Sequence, residues 1–511
     1  MKKIIYMIAV SASLSFTACE DYLTVDSPDD LTSQSFWRDK ADIESALSAA
    51  YSQLYFMDYS SDEWTMSEVI WPVEAYREDV VNMGNDAMNY QNWVDLYNYT
   101  YTNGNSQVSN YWRHLYRGAN FANQILAKSA DVPSTNLSES DRKTLMAEAH
   151  FLRGYYHMRL LLNWKEIVIR DKYITSGEPA ALDKPLSSRL ECWDFIIDDL
   201  KAATELPESY DPGDVGRATR GAAYAYLGWA YLTRAAEESS GKDEYLKKAV
   251  DAFDKVKGYE LVPNFESMFN GQNKNSKESI FEMQFTLNDA NGANYRTQMH
   301  RWIGCSELRG WDEILPSKFL MNEFMKEGKK ATDGEYDSRL YATVFYQCDY
   351  WNSPEGRIYG KTYDEWFRDD KGAYNRSAFR KFMPATLEKL NMDETAINIP
   401  LMRYANVLLM KAEALNQIGQ TAQAIELINK VRSVHGNMPK MEGSSKTEVQ
   451  NQIEHERILE FPLENMRFYD LRRWGKLGVA MKASGRKNFK DSVHDFYPIP
   501  QTEHNANGLI K

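Results

Sequence analysis

Leu401-Met402-Arg403-Tyr404-Ala405-Asn406-Val407-Leu408-Leu409-Met410-Lys411-Ala412-Glu413-Ala414-Leu415 decides how this chain folds, together with Gly419, Thr421, Ala424, Ile425, Ile428 and Val431 beyond it. Leu401, Tyr404, Leu408, Ala412 and Leu415 recur at helical spacing and form one apolar stripe. Gly419 is placed to stop that helix and Thr421 to cap a second, whose stripe is Ala424, Ile425, Ile428 and Val431. The product is an antiparallel hairpin of about 34 residues, the size of a tetratricopeptide unit, in which neither helix can bury its stripe alone.

A charged run follows, Glu456-Arg457-Ile458-Leu459-Glu460 and then Glu464-Asn465-Met466-Arg467-Phe468-Tyr469-Asp470-Leu471-Arg472-Arg473-Trp474. It has too many aromatics for a solvated helix and too many charges for an ordinary core. Interlocked carboxylate–guanidinium pairs at a helix junction reconcile the two. Arg472 and Arg473 are read the same way, as members of an internal network with Glu464 and Asp470 rather than as a phosphate patch.

The run Ile399–Asn416 resembles the signature of the SusD/RagB family, outer-membrane lipoproteins of Bacteroidetes that capture nutrients. The Glu456–Trp474 run is similar to the family's second signature, with Asn465 where glycine is usual; asparagine also tolerates a left-handed backbone. Three further blocks agree and keep the family's order: Ala147–Tyr156, Gly216–Ala223, and Tyr497-Pro498-Ile499-Pro500 with Glu503 and Asn507. The resemblance spans nearly the whole chain. It implies a non-catalytic protein that caps a SusC-like, TonB-dependent barrel transporter and delivers ligand into it.

At the N-terminus, Lys2 and Lys3 precede an apolar run from Ile4 to Ala18 that is too short to span a bilayer as a helix. Cys19 follows. Residues 1–18 therefore read as a lipoprotein signal peptide and Cys19 as the acylated residue. Glu20 and Asp21 resemble the surface-export signal of Bacteroidetes lipoproteins. The expectation is a lipid-anchored protein on the outer face of the outer membrane. The net charge is −13 and becomes two units more negative without Lys2 and Lys3. That balance argues against nucleic acid as a partner. Cys192, Cys305 and Cys348 lie too far apart for a zinc site or a disulfide framework, though one bridge among them is open.

Residues 19–511 read as one domain, mainly α, because no Pro/Gly/Ser-rich linker divides them. Helical pairs are expected near 138–205, 219–257, 400–434 and 446–480, with a further helix over 40–57. In the helix after Thr219, Gly221, Ala225 and Gly228 leave room for a neighbouring backbone. Residues 60–110 and 260–395 have weak periodicity and read as an irregular, loop-rich lobe, with Glu278–Phe285 as its clearest strand.

No Gly-x-Ser-x-Gly elbow, phosphate-cradling loop or His-Glu-x-x-His helix occurs in the sequence, and no cofactor is implied. A binding role rests on aromatics, 13% of the chain. Flat rings stack on the C–H faces of sugars while polar side chains meet the hydroxyls. Residues 90–112 concentrate such chemistry, with Tyr97, Tyr99 and Tyr101 alternating as in an extended segment. The candidate ligand residues are Trp71, Arg77, Asp79, Trp93, Tyr99, Tyr101, Asn103, Tyr295, Trp302, Trp311 and Trp351. Oligosaccharide is the leading ligand. Peptide capture is the alternative, since one branch of the family takes peptides, and a scaffold that binds only the transporter is the third reading.

Overall fold

The computed structural model describes residues 36–55, 67–174, 182–288 and 295–510. The leader and Cys19 lie outside the described residues. Among the described residues the first helix is α1 (Lys40–Ser52), within the 40–57 stretch expected to be helical and followed by a tighter turn over Gln53–Tyr55. After α2 (Ser67–Ala75), strand β1 (Val81–Met83) and α3 (Gln91–Asn98), five long helices follow: α4 (Ser106–Lys128), α5 (Glu139–Asn163), α6 (Arg189–Ala202), α7 (Arg220–Glu237) and α8 (Lys242–Asp254). Each packs on the next, and α8 packs on α12 (Tyr404–Gln417), which pairs in turn with α13 (Thr421–Val431). The fold is mainly α, a tetratricopeptide-like stack of helical hairpins.

Local chemistry explains the helix starts. Ser138 and Thr219 accept from the first-turn amides of α5 and α7, and Ser188 with Glu191 forms a capping box on α6. Gly228 lets α7 and α8 meet closely: a Cβ there would lie 2.4 Å from the Phe253 ring.

Between α8 and α12 the chain leaves the stack to build the irregular lobe. It holds β2 (Ser279–Met283), α9 (Met299–Ile303), β3 (Ile314–Pro316), α10 (Lys318–Met325) and α11 (Ser338–Thr343), besides several shorter turns and bridges. Strand β4 (Ile399–Arg403) returns antiparallel to β2, with Ser279 opposite Arg403 and Met283 opposite Ile399, and so closes the base of this excursion.

Three sequence expectations are corrected here. The 401–415 stripe is not one helix, because Leu401 belongs to β4 and the helix begins at Tyr404. Thr421 is the first residue of α13 rather than its cap, and its hydroxyl donates to Asn416 Oδ1. The fourth pair is not a hairpin. α14 (Lys446–Glu460) packs on α12, α13 and α10, and the chain beyond it breaks into α15 (Arg467–Arg473) and α16 (Leu477–Ala483). Gly419 does stop α12, in the left-handed region at φ 85°.

The charged runs form a buried ionic lattice. Arg403 bridges Glu278, Glu460 and Glu464, and Arg339 bridges Asp337, Glu456 and Glu460. Arg457 pairs with Asp470, which shares Arg473 with Glu413. Arg472 departs from the expected pairing and donates to the carbonyls of Leu162 and Asp495. Cys192, Cys305 and Cys348 are all free thiols.

Candidate functional site

Two stretches far apart in sequence meet in one aromatic cluster. Trp71 in the middle of α2, Trp93 on α3 and Trp302 on α9 form a triangle, with centroids 5.6 Å (Trp71–Trp93), 5.2 Å (Trp93–Trp302) and 6.3 Å (Trp71–Trp302) apart. Trp311 stands edge-on to Trp302 at 4.7 Å, and Tyr90 lies 4.4 Å from Trp93.

A small antiparallel clamp holds the two stretches together. In it β1 pairs with β3, Val81 opposite Pro316 and Met83 opposite Ile314. The clamp needs a glycine at its edge, because a Cβ on Gly84 would lie 1.7 Å from the Asp312 carbonyl oxygen. Gly84 N–H donates instead to the Glu313 carbonyl at 2.8 Å.

The cluster has a sealed base and an open top. Trp71, Trp302 and Trp93 are 2%, 6% and 7% exposed, whereas Tyr90 is 44% and Met88 62% exposed, and Trp311 is partly exposed. Beneath the top, the indole N–H groups of Trp71 and Trp302 and one carboxyl oxygen of Glu313 find no hydrogen-bond partner among the described residues. Orphaned buried polar groups are rare and costly in native proteins. Glu313 is pushed up to about 8 by burial and then by the nearby Asp86 and Asp312 carboxylates, so it holds its proton at neutral pH. Asp312 is neutralised by Arg376, which also holds Glu307 at 2.7 Å. The result is an apolar ledge of rings above a layer of unsatisfied donors and acceptors.

Four of the candidate ligand residues, Trp71, Trp93, Trp302 and Trp311, are brought together here. Arg77, Asp79, Tyr99, Tyr101 and Trp351 are instead structural. Arg77 is fully buried, donates to Glu74 at 2.9 Å and to Asn163, and lies between the Phe468 and Tyr497 rings at 4.2 and 4.4 Å. Glu74 also receives Arg159. Its own burial opposes ionisation, but Arg159 and Arg77 outweigh that and hold its pKa at about 2. Asp79 pairs with Arg467 at 2.9 Å.

The expected extended segment over 97–101 is absent. Tyr97 is in α3 and Tyr99 caps it in the left-handed conformation, so the alternation does not present one face. Tyr99 donates to the Arg77 carbonyl, and Tyr101 packs on His494 and Tyr497. Trp351 is sealed among Tyr341, Phe345 and Tyr350 in a separate part of the lobe. Asn103 donates to Gln501, and Tyr295 lies against Tyr55 at 5.1 Å. Tyr90 is in the ring-rich stretch of the sequence yet stands out only through its exposure. Glu313 carries no sequence signal, since its state depends on burial between two loops.

A second constellation has metal-like geometry: Glu278, His435 and Glu460 offer ligand atoms within 4.8 Å of one another. His435 Nδ1 lies 2.9 Å from Glu460 and Nε2 3.0 Å from Glu278. Burial alone would lower the imidazole's pKa, but the flanking Glu460 and Glu278 carboxylates prevail and raise it to about 9. Both ring nitrogens therefore donate, leaving no lone pair for an ion, and Arg403 and Arg339 complete the charge balance. The chemistry of this donor set is that of an ion-pair lattice.

Comparison with known proteins agrees with this architecture. The profile of the SusD family matches residues 277–511, and one described as starch-binding and associating with the outer membrane matches residues 21–232. SusD-like protein P2 of Formosa agariphila is 25% identical over 498 residues, covering 93% of this chain and 92% of its own. A SusD superfamily protein from Bacteroides vulgatus superposes with a TM-score of 0.77 at 26% identity, covering 93% of this chain and 99% of its own. A laminarin-binding SusD-like protein shares the fold at 22% identity, with a TM-score of 0.72 over 93% of this chain and 99% of its own. Hairpin stack, irregular lobe, buried signature lattice and both profile matches lead to one conclusion: the chain belongs to the SusD/RagB family.

Proposed function

We propose that this protein captures oligosaccharide on the Tyr90–Trp93–Trp302–Trp311 ledge and passes it to a SusC-like, TonB-dependent barrel transporter, making and breaking no bond. In this reading lipid on Cys19 tethers it to the outer membrane, with the site facing the medium. The observation that carries the proposal is the convergence of rings from 71–93 and 302–311 into one cluster with an exposed top and orphaned polar atoms below. A pyranose lying on Tyr90 and Trp311 sheds water from its C–H face, and its hydroxyls match the polarity of the layer beneath. The family's starch-binding description and a laminarin binder of the same fold support the ligand class.

Calorimetric titration of the detergent-solubilised full chain against plant, host and microbial oligosaccharides and mixed peptides tests this. Saturable heat with a glycan, weakened about tenfold or more in Trp311→Ala and Tyr90→Ala, is expected, equivalent to at least about 1.4 kcal/mol. Heat with peptides alone, or glycan affinity unchanged in both variants, would overturn it.

A further inference from the structure

A second concavity lies on the helical stack and shares no residue with the aromatic ledge. It is a cleft of about 510 Å³ between the 208–219 loop, the turn at 257–259 and the 275–282 segment that includes β2. That volume suits one or two sugar rings. Gly216 lies beside the cleft at φ 106°, a conformation that side chains rarely adopt, and a Cβ there would lie 2.5 Å from the Gln284 side chain just beyond β2.

Two rings and three cations line the trough. Tyr210 and Tyr259 are each half-buried, and the Tyr210 hydroxyl is sealed with no hydrogen-bond partner among the described residues. The Tyr259 hydroxyl lies 2.8 Å from Thr219 Oγ1, the cap of α7, so the positive end of that helix opens on the same side. Arg217 lies over the Tyr210 ring at 5.0 Å, and its charge is taken up by Glu148.

Lys257 and Lys277 are different. Both are exposed, and neither makes an ion pair among the described residues. The lining acids are already engaged: Glu208 pairs with Arg220, and Glu282 accepts from Asn275 N–H, Asn398 and Ser279. On a chain of net charge −13, two unengaged cations lining one trough favour an anionic substituent there.

We infer that this cleft is a second binding site, for a saccharide bearing a carboxylate or sulfate group. The rings of Tyr210 and Tyr259 take the sugar's C–H face, and Lys257 and Lys277 hold the anionic substituent. The rings distinguish this site from a simple anion site, which needs only the charges.

The test is titration of the full chain in detergent with trigalacturonate, with a sulfated heparin disaccharide, with neutral galactotriose and with inorganic sulfate. Saturable binding of an acidic saccharide is expected, at least tenfold weaker in Lys257→Gln/Lys277→Gln and weakened in Tyr210→Ala, yet unchanged in Trp311→Ala. Both lysines are exposed, so the double variant folds, and an unchanged melting curve verifies this. A carboxylate-only or sulfate-only response identifies the substituent and supports the site. Binding of neither acidic probe, equal binding of inorganic sulfate, or full affinity in the double lysine variant would each overturn it. Loss of neutral-glycan binding in Trp311→Ala reports on the aromatic ledge alone, so the two sites fail independently.

Discussion

His435 illustrates how single residues are tuned by their neighbours. With its pKa raised to about 9, it donates from both nitrogens to Glu460 and Glu278. A value raised above the ordinary 6.5 means that the imidazolium's contribution is complete below about pH 6.5 and fades as pH rises through 9. His435→Ala leaves buried carboxylates undercompensated and is expected to cost about 3–5 kcal/mol. Thermal melts of both proteins from pH 6 to 10 check this, since the gap between them should narrow with rising pH. Glu313 has the same sign for a different reason. Its pKa is raised to about 8, so the protonated acid's contribution is complete below about 4.5 and lost as pH climbs through 8. Glu313→Gln, neutral throughout, should match the native protein near pH 5 and exceed its stability at pH 9 by on the order of 1–3 kcal/mol. A variant that loses stability equally at both values would refute the assignment. At this scale the sequence was least informative. Arg77 and Asp79 are candidate ligand groups in the sequence, yet Arg77 is taken up by Glu74, Asn163 and Tyr469, and Asp79 by Arg467 nearly 400 residues away.

Among elements, the β1–β3 clamp has the largest effect for its size, because a few residues join the two halves of the aromatic ledge. Gly84→Ala places a methyl group against the Asp312 carbonyl and should separate the strands, costing about 2–4 kcal/mol. Glycan affinity should fall with it, whereas an alanine at the exposed Asn85 should change neither; denaturant melts and titration of both variants decide. Elements with a strong repeat were legible in the chain. The stripes of α5, α7 and α12 follow from spacing, and Ser138 and Thr219 mark two helix starts. Period alone could not show that Leu401 belongs to a strand, since β4 exists only because β2 pairs with it. Nor could it place Tyr99, whose left-handed turn ends α3 and reverses the apparent alternation.

Across the whole molecule, the ionic lattice ties the lobe to the stack. Arg339 comes from the lobe, Glu456 and Glu460 from α14, Arg403 from β4 and Glu278 from the start of the excursion. Removing one member of such a lattice is far costlier than removing an exposed pair. Urea unfolding followed by helical circular dichroism and by tryptophan fluorescence should therefore give coincident transitions in the native protein. Tryptophans lie in both parts, Trp112, Trp193 and Trp229 in the stack and Trp302, Trp311 and Trp351 in the lobe. In Arg339→Met the fluorescence transition should therefore broaden toward lower urea as the lobe tryptophans report first, while the helical one stays; coincidence in the variant would show that the lattice does not couple them. The division into helical frame and irregular lobe was readable from composition, but its attachment was not, because ion pairs form between residues whose separation in sequence carries no pattern.

The free cysteines have a practical consequence. Cys192 and Cys305 are buried, and burial pushes the Cys192 thiol up to about 12 and raises Cys305 as well, so neither supplies thiolate near neutrality. Cys348 is only half-buried and sits within the Trp351 neighbourhood of the lobe. Among the described residues the molecule thus offers one addressable sulfur. A maleimide fluorophore attached there would report movement of the lobe without any engineered mutation.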